Sequence, residues 1–128
     1  MSKRVIIADD SALARMFLRR CLEISGLSEA EFIEVGNGLE ALDVLKENEV
    51  DLVVTDLTMP QMGGVDLMRN IASMDKLKDL PVLVVTSAGN EEQRKELLEL
   101  GVSGILSKPI APPVVSEALE KIFPDIED

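Results

Sequence analysis

An α/β fold, a parallel sheet wound with helices on both faces, is what this sequence predicts, and three observations predict it. Five short apolar runs recur along 128 residues, separated by stretches that carry helical periodicity and helix-capping residues. The first, third and fourth runs are apolar with little alternation, which suits central parallel strands covered on both sides. The polar pairs Asp9-Asp10, Thr55-Asp56, Thr86-Ser87 and Ser107-Lys108 fall just after or at the ends of four of the runs, where open α/β sheets bind their ligands.

The elements follow in order. Val5-Ile6-Ile7-Ala8 is the first strand. Ser11 is placed to cap the helix after it, in which Ala14, Phe17, Leu18, Cys21 and Leu22 keep the i, i+3, i+4, i+7, i+8 spacing of one buried face, and Gly26 ends it. Phe32-Ile33-Glu34-Val35 is the second strand, and Asn37 with Glu40 three residues on resembles a capping box. Leu52-Val53-Val54-Thr55 and Val82-Leu83-Val84-Val85 are the third and fourth strands, with Gly63-Gly64 a loop signal between them. Asn90 with Gln93 opens a helix from Glu91 to Leu100, charged for most of its length, with Leu97, Leu98 and Leu100 near its end. Gly104-Ile105-Leu106 is the fifth strand, and Pro112-Pro113 suits the first turn of a last helix carrying Val115, Ala118, Leu119 and Ile122. Residues 124–128 are expected to fray. No repeat, low-complexity segment or domain boundary interrupts residues 1–128, which are expected to fold as a single domain.

Composition narrows the chemistry. With 24 acids against 13 bases the formal net charge is -11. That excess argues against nucleic acid or anionic membrane as partner, and is compatible with a cation or a basic protein. Histidine is absent, which removes His-based general bases, His-containing triads and Cys/His zinc sites. Cys21 is the single cysteine, so no internal disulfide or CxxC exists and a reducing compartment is expected. There is no Trp or Tyr to stack on bases or a flavin. The apolar run after Met-Ser-Lys-Arg is too short for a signal peptide or a membrane span, so a cytoplasmic location is expected.

If strands one, three, four and five are neighbours, Asp9, Asp10, Asp56, Thr86 and Lys108 share one edge of the sheet. Three adjacent carboxylates repel unless a cation enters. Oxygen donors of this kind suit magnesium, which favours phosphoryl substrates. Lys108 can neutralise charge opposite the metal, Thr86 can donate to a phosphoryl oxygen, and a carboxylate so placed can attack phosphorus. Taken singly each feature has a plainer reading. An acidic pair after a strand is a solvated turn, a strand-end threonine is a good β-former, Lys-Pro is a surface turn, and Cys21 is a small core residue.

Taken together, Val5-Ile6-Ile7-Ala8-Asp9-Asp10-Ser11, Val53-Val54-Thr55-Asp56-Leu57-Thr58-Met59-Pro60, Met62-Gly63-Gly64, Val84-Val85-Thr86-Ser87-Ala88 and Ser107-Lys108-Pro109 resemble the receiver domain of bacterial two-component response regulators. The resemblance covers essentially the whole chain and is strongest to the small single-domain, CheY-like chemotaxis type. It implies a flavodoxin-like fold with strand order 2-1-3-4-5. It also implies a switch that catalyses its own phosphorylation and dephosphorylation, not an enzyme acting on a separate substrate.

By this resemblance Asp56 accepts a phosphoryl group from a phosphohistidine on a sensor histidine kinase or phosphotransfer protein, or from a small phosphodonor. Asp10, Asp56 and the backbone carbonyl of Thr58 hold magnesium, or manganese in its place, and Asp9 acts mainly through water. Backbone groups of Leu57, Thr58 and Ser87 face the phosphoryl group, Lys108 pairs with it, Thr86 swings in to bond it, and the Lys108-Pro109 peptide is cis. Output runs through the fourth helix, fifth strand and last helix to a protein target such as a flagellar switch or another signalling protein. One position departs from the family. Three residues before the lysine, where many members carry an aromatic ring, stands Ile105, so any relay from Thr86 must run through aliphatic repacking. Thr58 and Ala88 flank the path of water to the phosphoryl group, and the small Ala88 predicts a lifetime no longer than minutes.

The first helix presents Leu13, Met16 and Ile24 on a second side, with Arg15 and Arg19 nearby. Ala12, Arg15, Met16 and Arg19 are expected to contact the kinase. The alternative is that Leu13 and Ile24 finish packing against the sheet or a loop. Three other functions compete. A phosphatase with an aspartyl nucleophile usually carries an acid two residues after it, where Thr58 stands. A nucleotide or flavin module would show GxGxxG or a Walker pattern, and neither is present. A receiver that signals without phosphorylation is at odds with the intact acidic set.

Overall fold

In the computed structural model, which describes residues 2–87 and 90–126, the alternation becomes five strands and five helices. The strands are β1 (Arg4–Ala8), β2 (Glu31–Val35), β3 (Leu52–Asp56), β4 (Val82–Thr86) and β5 (Gly104–Ser107). The helices are α1 (Ala12–Leu22), α2 (Gly38–Glu47), α3 (Gly64–Ser73), α4 (Glu91–Leu100) and α5 (Pro112–Ile122). The sheet order is β2-β1-β3-β4-β5 and every pair is parallel. This is the flavodoxin-like arrangement.

The apolar runs form strands because both of their faces are covered. Alternate residues of a strand point to opposite sides. Val5 and Ile7 of β1, Leu52 and Val54 of β3, and Leu83 and Val85 of β4 pack with Leu18, Cys21 and Leu22 of α1 and Val115 and Leu119 of α5. Ile6, Ala8, Val53, Val82 and Val84 pack on the other side with Ala41 and Leu45 of α2, Leu67 and Ile71 of α3, and Leu97 of α4. The edge strands β2 and β5 are only partly covered.

The caps hold the helices where the capping residues put them. Ser11, Asn37 and Asn90 each accept a hydrogen bond from the backbone N–H three residues on, at 3.2, 2.9 and 2.8 Å. The exit from α1 runs through a wide turn, Glu23–Leu27, in which Gly26 takes φ of 117°, a conformation a side chain disfavours.

Phe17 is not on the buried face of α1; it is 52% exposed. At about 100° per residue, Leu18, Cys21 and Leu22 centre the buried stripe roughly a quarter turn away from Phe17. Leu13 and Ile24 do not finish packing against the sheet either, being 71% and 53% exposed. None of the described helices is long and apolar enough to cross a membrane.

Candidate functional site

Because β1, β3, β4 and β5 are consecutive in the sheet, their carboxyl ends line up. Asp9 follows β1, Asp56 ends β3, Thr86 ends β4 and Lys108 follows β5. The register sets Ala8 beside Thr55, Asp56 beside Val85 and Thr86 beside Ser107. Four chain segments distant in sequence therefore meet at one edge.

Asp9 is the buried member, only 1% exposed. All its polar groups have partners, as a buried carboxylate requires. Its N–H donates to the Val35 carbonyl (3.1 Å), Oδ1 accepts from the Ser11 N–H (2.9 Å) and Oδ2 accepts from Lys108 Nζ (3.3 Å). Its carbonyl accepts from Arg15 Nη1 at 2.6 Å. Lys108 Nζ also lies 3.5 Å from Asp56 Oδ1. The ammonium thus faces both carboxylates at once.

Asp56 Oδ1 accepts a further bond from the Leu57 N–H at 2.9 Å, which fixes the plane of the carboxyl group. Burial pushes the Asp56 carboxyl above the usual aspartate value, and the Asp9 charge adds to the rise. The Leu57 N–H and the Lys108 ammonium pull it back. Asp10 stands at the solvent side, exposed. Asp9, Asp10 and Asp56 each offer a carboxylate oxygen, and these oxygens lie within 4.8 Å of one another. A group of hard oxygen donors with an ammonium beside it could hold a divalent cation such as magnesium, and is a poor match for a soft thiophilic metal.

The loop after β3 is drawn tightly against the site. The Gly64 N–H donates to the Leu57 carbonyl at 2.9 Å. A Cβ on Gly64 would lie 2.6 Å from the Asp56 carbonyl oxygen, and one on Gly63 2.8 Å from that of Leu57. The start of α3 therefore approaches the Asp56 backbone at a distance no other residue permits. On the opposite side the Lys108–Pro109 peptide is cis. The Lys108 N–H donates to the Thr86 carbonyl at 2.9 Å, which joins the β4 and β5 ends.

The remaining expected residues lie as follows. Thr86 and Ile105 line a small cavity of about 140 Å³ with Leu57, Ser87, Arg94, Leu97 and Ser107. Ile105 is half-buried, while Thr58 and Ser87 are exposed. The Leu57 N–H, expected to face a phosphoryl group, is engaged by Asp56 Oδ1. Ala88 lies outside the described residues. On α1, Ala12 and Met16 are exposed and the Arg19 side chain is 45% exposed, but Arg15 turns back onto the Asp9 carbonyl and Glu34. It does not stand with the other three on the open face.

A cleft of about 680 Å³ opens at the other end of the sheet between residues such as Val50 and Pro81. It shares no residue with the carboxylate cluster. Two features escaped the sequence. The glycine pair reads there as a loop signal and as part of the family resemblance, whereas it lets α3 touch the Asp56 backbone. Glu34 reads as a strand residue, whereas it holds Arg15 at 3.2 Å from across β1.

The family model for the response regulator receiver domain matches residues 5–120. The chain is 38% identical over 120 residues to the chemotaxis protein CheY-3 of Vibrio cholerae, with 94% of this chain and 91% of that protein covered. It is 36% identical to the chemotaxis protein CheY of Pseudomonas aeruginosa, with 94% and 95% covered. Among solved structures, a response regulator receiver protein from Pseudomonas putida superposes with a TM-score of 0.84 at 26% identity, with 94% and 98% covered.

Proposed function

The chain belongs to the response regulator receiver domain family, and on that footing we propose that Asp56 accepts a phosphoryl group from a histidine kinase and so switches a protein-binding face. Receivers of this type are signalling switches, not classical enzymes. Residues 1–128 make up one such domain in this reading. The observation that carries it is the placement of the Lys108 ammonium 3.3 Å from Asp9 and 3.5 Å from Asp56, with Asp10 open to solvent beside them.

Each residue then has a task set by its surroundings. The Leu57 N–H holds one Asp56 oxygen and orients the carboxylate for in-line attack on phosphorus. The new O–P bond forms as the N–P bond of the phosphohistidine breaks, and the imidazole leaves with the bonding pair. Asp9, Asp10, Asp56 and the Thr58 carbonyl would hold magnesium, or manganese, which when bound neutralises charge on the phosphoryl oxygens. Lys108, freed from Asp56 once that carboxylate has become an acyl phosphate, pairs with the phosphoryl oxygens on the other side. Thr86 donates its hydroxyl to a phosphoryl oxygen, and the N–H groups of Thr58 and Ser87 complete the cradle. Location in the cytoplasm is part of this reading, since sensor kinases present their phosphohistidine there.

Support for an output face comes from α4. Only Leu97 of its ten residues is buried, and Leu98 is 55% exposed. A helix with so few apolar anchors shifts at small cost. Its ionic tie is Arg69 of α3, whose guanidinium grips both Glu96 oxygens. With Ile105 in place of a ring, movement of Thr86 is relayed by repacking of Leu57, Leu97 and Ile105 around their shared cavity. The target is a protein such as a flagellar switch or another signalling component, and Ala12, Met16 and Arg19 belong to the kinase-facing surface.

Beryllofluoride titration read by fluorine NMR tests the proposal. A bound signal that needs both magnesium and Asp56, and is lost in Asp56→Asn, is expected. A bound signal unchanged in Asp56→Asn, or none in the wild type, would overturn it.

A further inference from the structure

Arg15 is the one expected kinase contact that faces inward. Its side chain is 20% exposed. Nη1 donates to the Asp9 carbonyl at 2.6 Å, and Nε donates to Glu34 Oε1 at 3.2 Å. The other Glu34 oxygen lies 3.6 Å from Arg19 Nη1, so the carboxylate bridges two guanidinium groups. Glu34 sits on β2 beside Ile7, and the next β2 residue, Val35, receives the Asp9 N–H. The end of β2 therefore holds Asp9 from both sides, directly through Val35 and through Glu34 and Arg15.

The Asp9 carbonyl belongs to the same planar peptide as the Asp10 N–H. Whatever fixes that carbonyl fixes the direction in which Asp10 leaves the strand. Asp10 has no hydrogen bond or ion pair of its own among the described residues. It is the exposed member of the three carboxylates. Its position is thus set by the backbone beneath it, and a charge-assisted bond of 2.6 Å is a strong restraint on that backbone.

We propose that Arg15 is a positioning residue for cation uptake: by clamping the Asp9 carbonyl it aims the Asp10 carboxylate into the cluster formed with Asp9 and Asp56. This rests on the reading of that cluster as a divalent-cation site. The sign of the effect separates positioning from simple charge. A guanidinium bonded to the Asp9 carbonyl repels a cation entering the neighbouring cluster, so its removal by charge alone would tighten binding. Loss of the clamp loosens it.

The test is calorimetric titration of magnesium at pH 7, which needs no partner protein and no phosphoryl donor. Arg15→Gln is expected to bind magnesium about tenfold more weakly, at the lower end of what loss of an outer hydrogen bond to a metal ligand costs. Arg20→Gln removes the same charge from an exposed side chain on the same helix, and is expected to stay within about twofold of wild type because solvent screens it. Arg15→Lys keeps the charge but not the fork that spans the Asp9 carbonyl and Glu34. It is expected to weaken binding roughly threefold, and it decides the matter should Arg15→Gln fail to fold. Wild-type or tighter binding in a folded Arg15→Gln, or wild-type binding in Arg15→Lys, overturns the proposal. Magnesium uptake in the wild type that is lost in Asp10→Asn shows the cluster reading sound whatever Arg15 does. No uptake in the wild type overturns that reading and this proposal together.

Discussion

Replacing Asp56 by Asn should stabilise the protein in the absence of divalent cation. At an effective dielectric of about 20, two charges 4.8 Å apart repel by about 3.5 kcal/mol, and Asp9 stands within that distance. Asp10 adds a smaller repulsion, on the order of 1 kcal/mol, because it is exposed and screened. Lys108 at 3.5 Å returns about 4.7 kcal/mol of attraction on the same scale. Attraction and repulsion nearly cancel, so desolvation of the carboxylate decides the sign. Burial is indeed the leading cause of the raised Asp56 value. A cost of about 1–2 kcal/mol follows for a polar group withdrawn from water and partly compensated. Asn keeps the Leu57 hydrogen bond and sheds the charge.

The assay is urea unfolding followed by far-ultraviolet circular dichroism, since the chain has neither Trp nor Tyr for fluorescence. With EDTA at pH 7 the midpoint should rise by roughly 0.5–1.5 M for a slope near 1.5 kcal/mol/M. The pH dependence has a definite sign. An acid whose folded value lies above its unfolded value costs stability once pH exceeds the folded value, and the cost vanishes below the ordinary aspartate value of about 4. The advantage of Asp56→Asn should therefore fade as pH falls towards 4. If the cluster takes magnesium as proposed, the advantage should also shrink when magnesium is added, because a ligand held more tightly by the wild type stabilises it. An Asn variant no more stable than wild type in EDTA, or an advantage indifferent to both pH and magnesium, would refute this reasoning.

Three other outcomes are expected. Lys108→Ala strips the cation from Asp9, whose side chain is 2% exposed, and should lower stability by about 2–4 kcal/mol at pH 7 in EDTA; a loss under about 0.5 kcal/mol would show the pair to be unimportant. Gly64→Ala puts a Cβ 2.6 Å from the Asp56 carbonyl, and should cost about 1–3 kcal/mol while slowing labelling of Asp56 by acetyl phosphate, both measured against wild type. Met16→Ala removes an apolar side chain 60% exposed on α1, and should slow transfer from the cognate phosphohistidine without changing acetyl phosphate labelling; phosphohistidine transfer at the wild-type rate would place Met16 outside the docking surface.

What could be read from the residues, and what could not, divides along a physical line. Val5, Ile6, Ile7, Val53, Val54, Val84 and Val85 disclose central strands because β-branched runs without alternation have few other stable homes. Ser11, Asn37 and Asn90 disclose helix starts because capping is a local interaction. The polar residues at the strand ends become one site only when the strands are neighbours, an adjacency that came with the family resemblance. Spacing alone puts Phe17 on the buried face because it defines a stripe but not its centre, and Phe17 lies at the margin where Leu18, Cys21 and Leu22 take the sheet. The inward turn of Arg15 is not legible because nothing local in sequence ties it to the Asp9 carbonyl or to Glu34, nineteen residues away. Gly64 carries no signal of the Asp56 carbonyl it must accommodate, since that closeness is a property of the folded β3–α3 turn.

The central claim is that Asp56 takes a phosphoryl group in a cation-dependent site. Intact-mass measurement after incubation with acetyl phosphate, with borohydride trapping to locate the adduct, tests it most directly. A single phosphoryl adduct on Asp56 is expected, requiring magnesium and absent from Asp56→Asn and Asp10→Asn. An adduct that forms equally in EDTA, or that persists in Asp56→Asn, would contradict it.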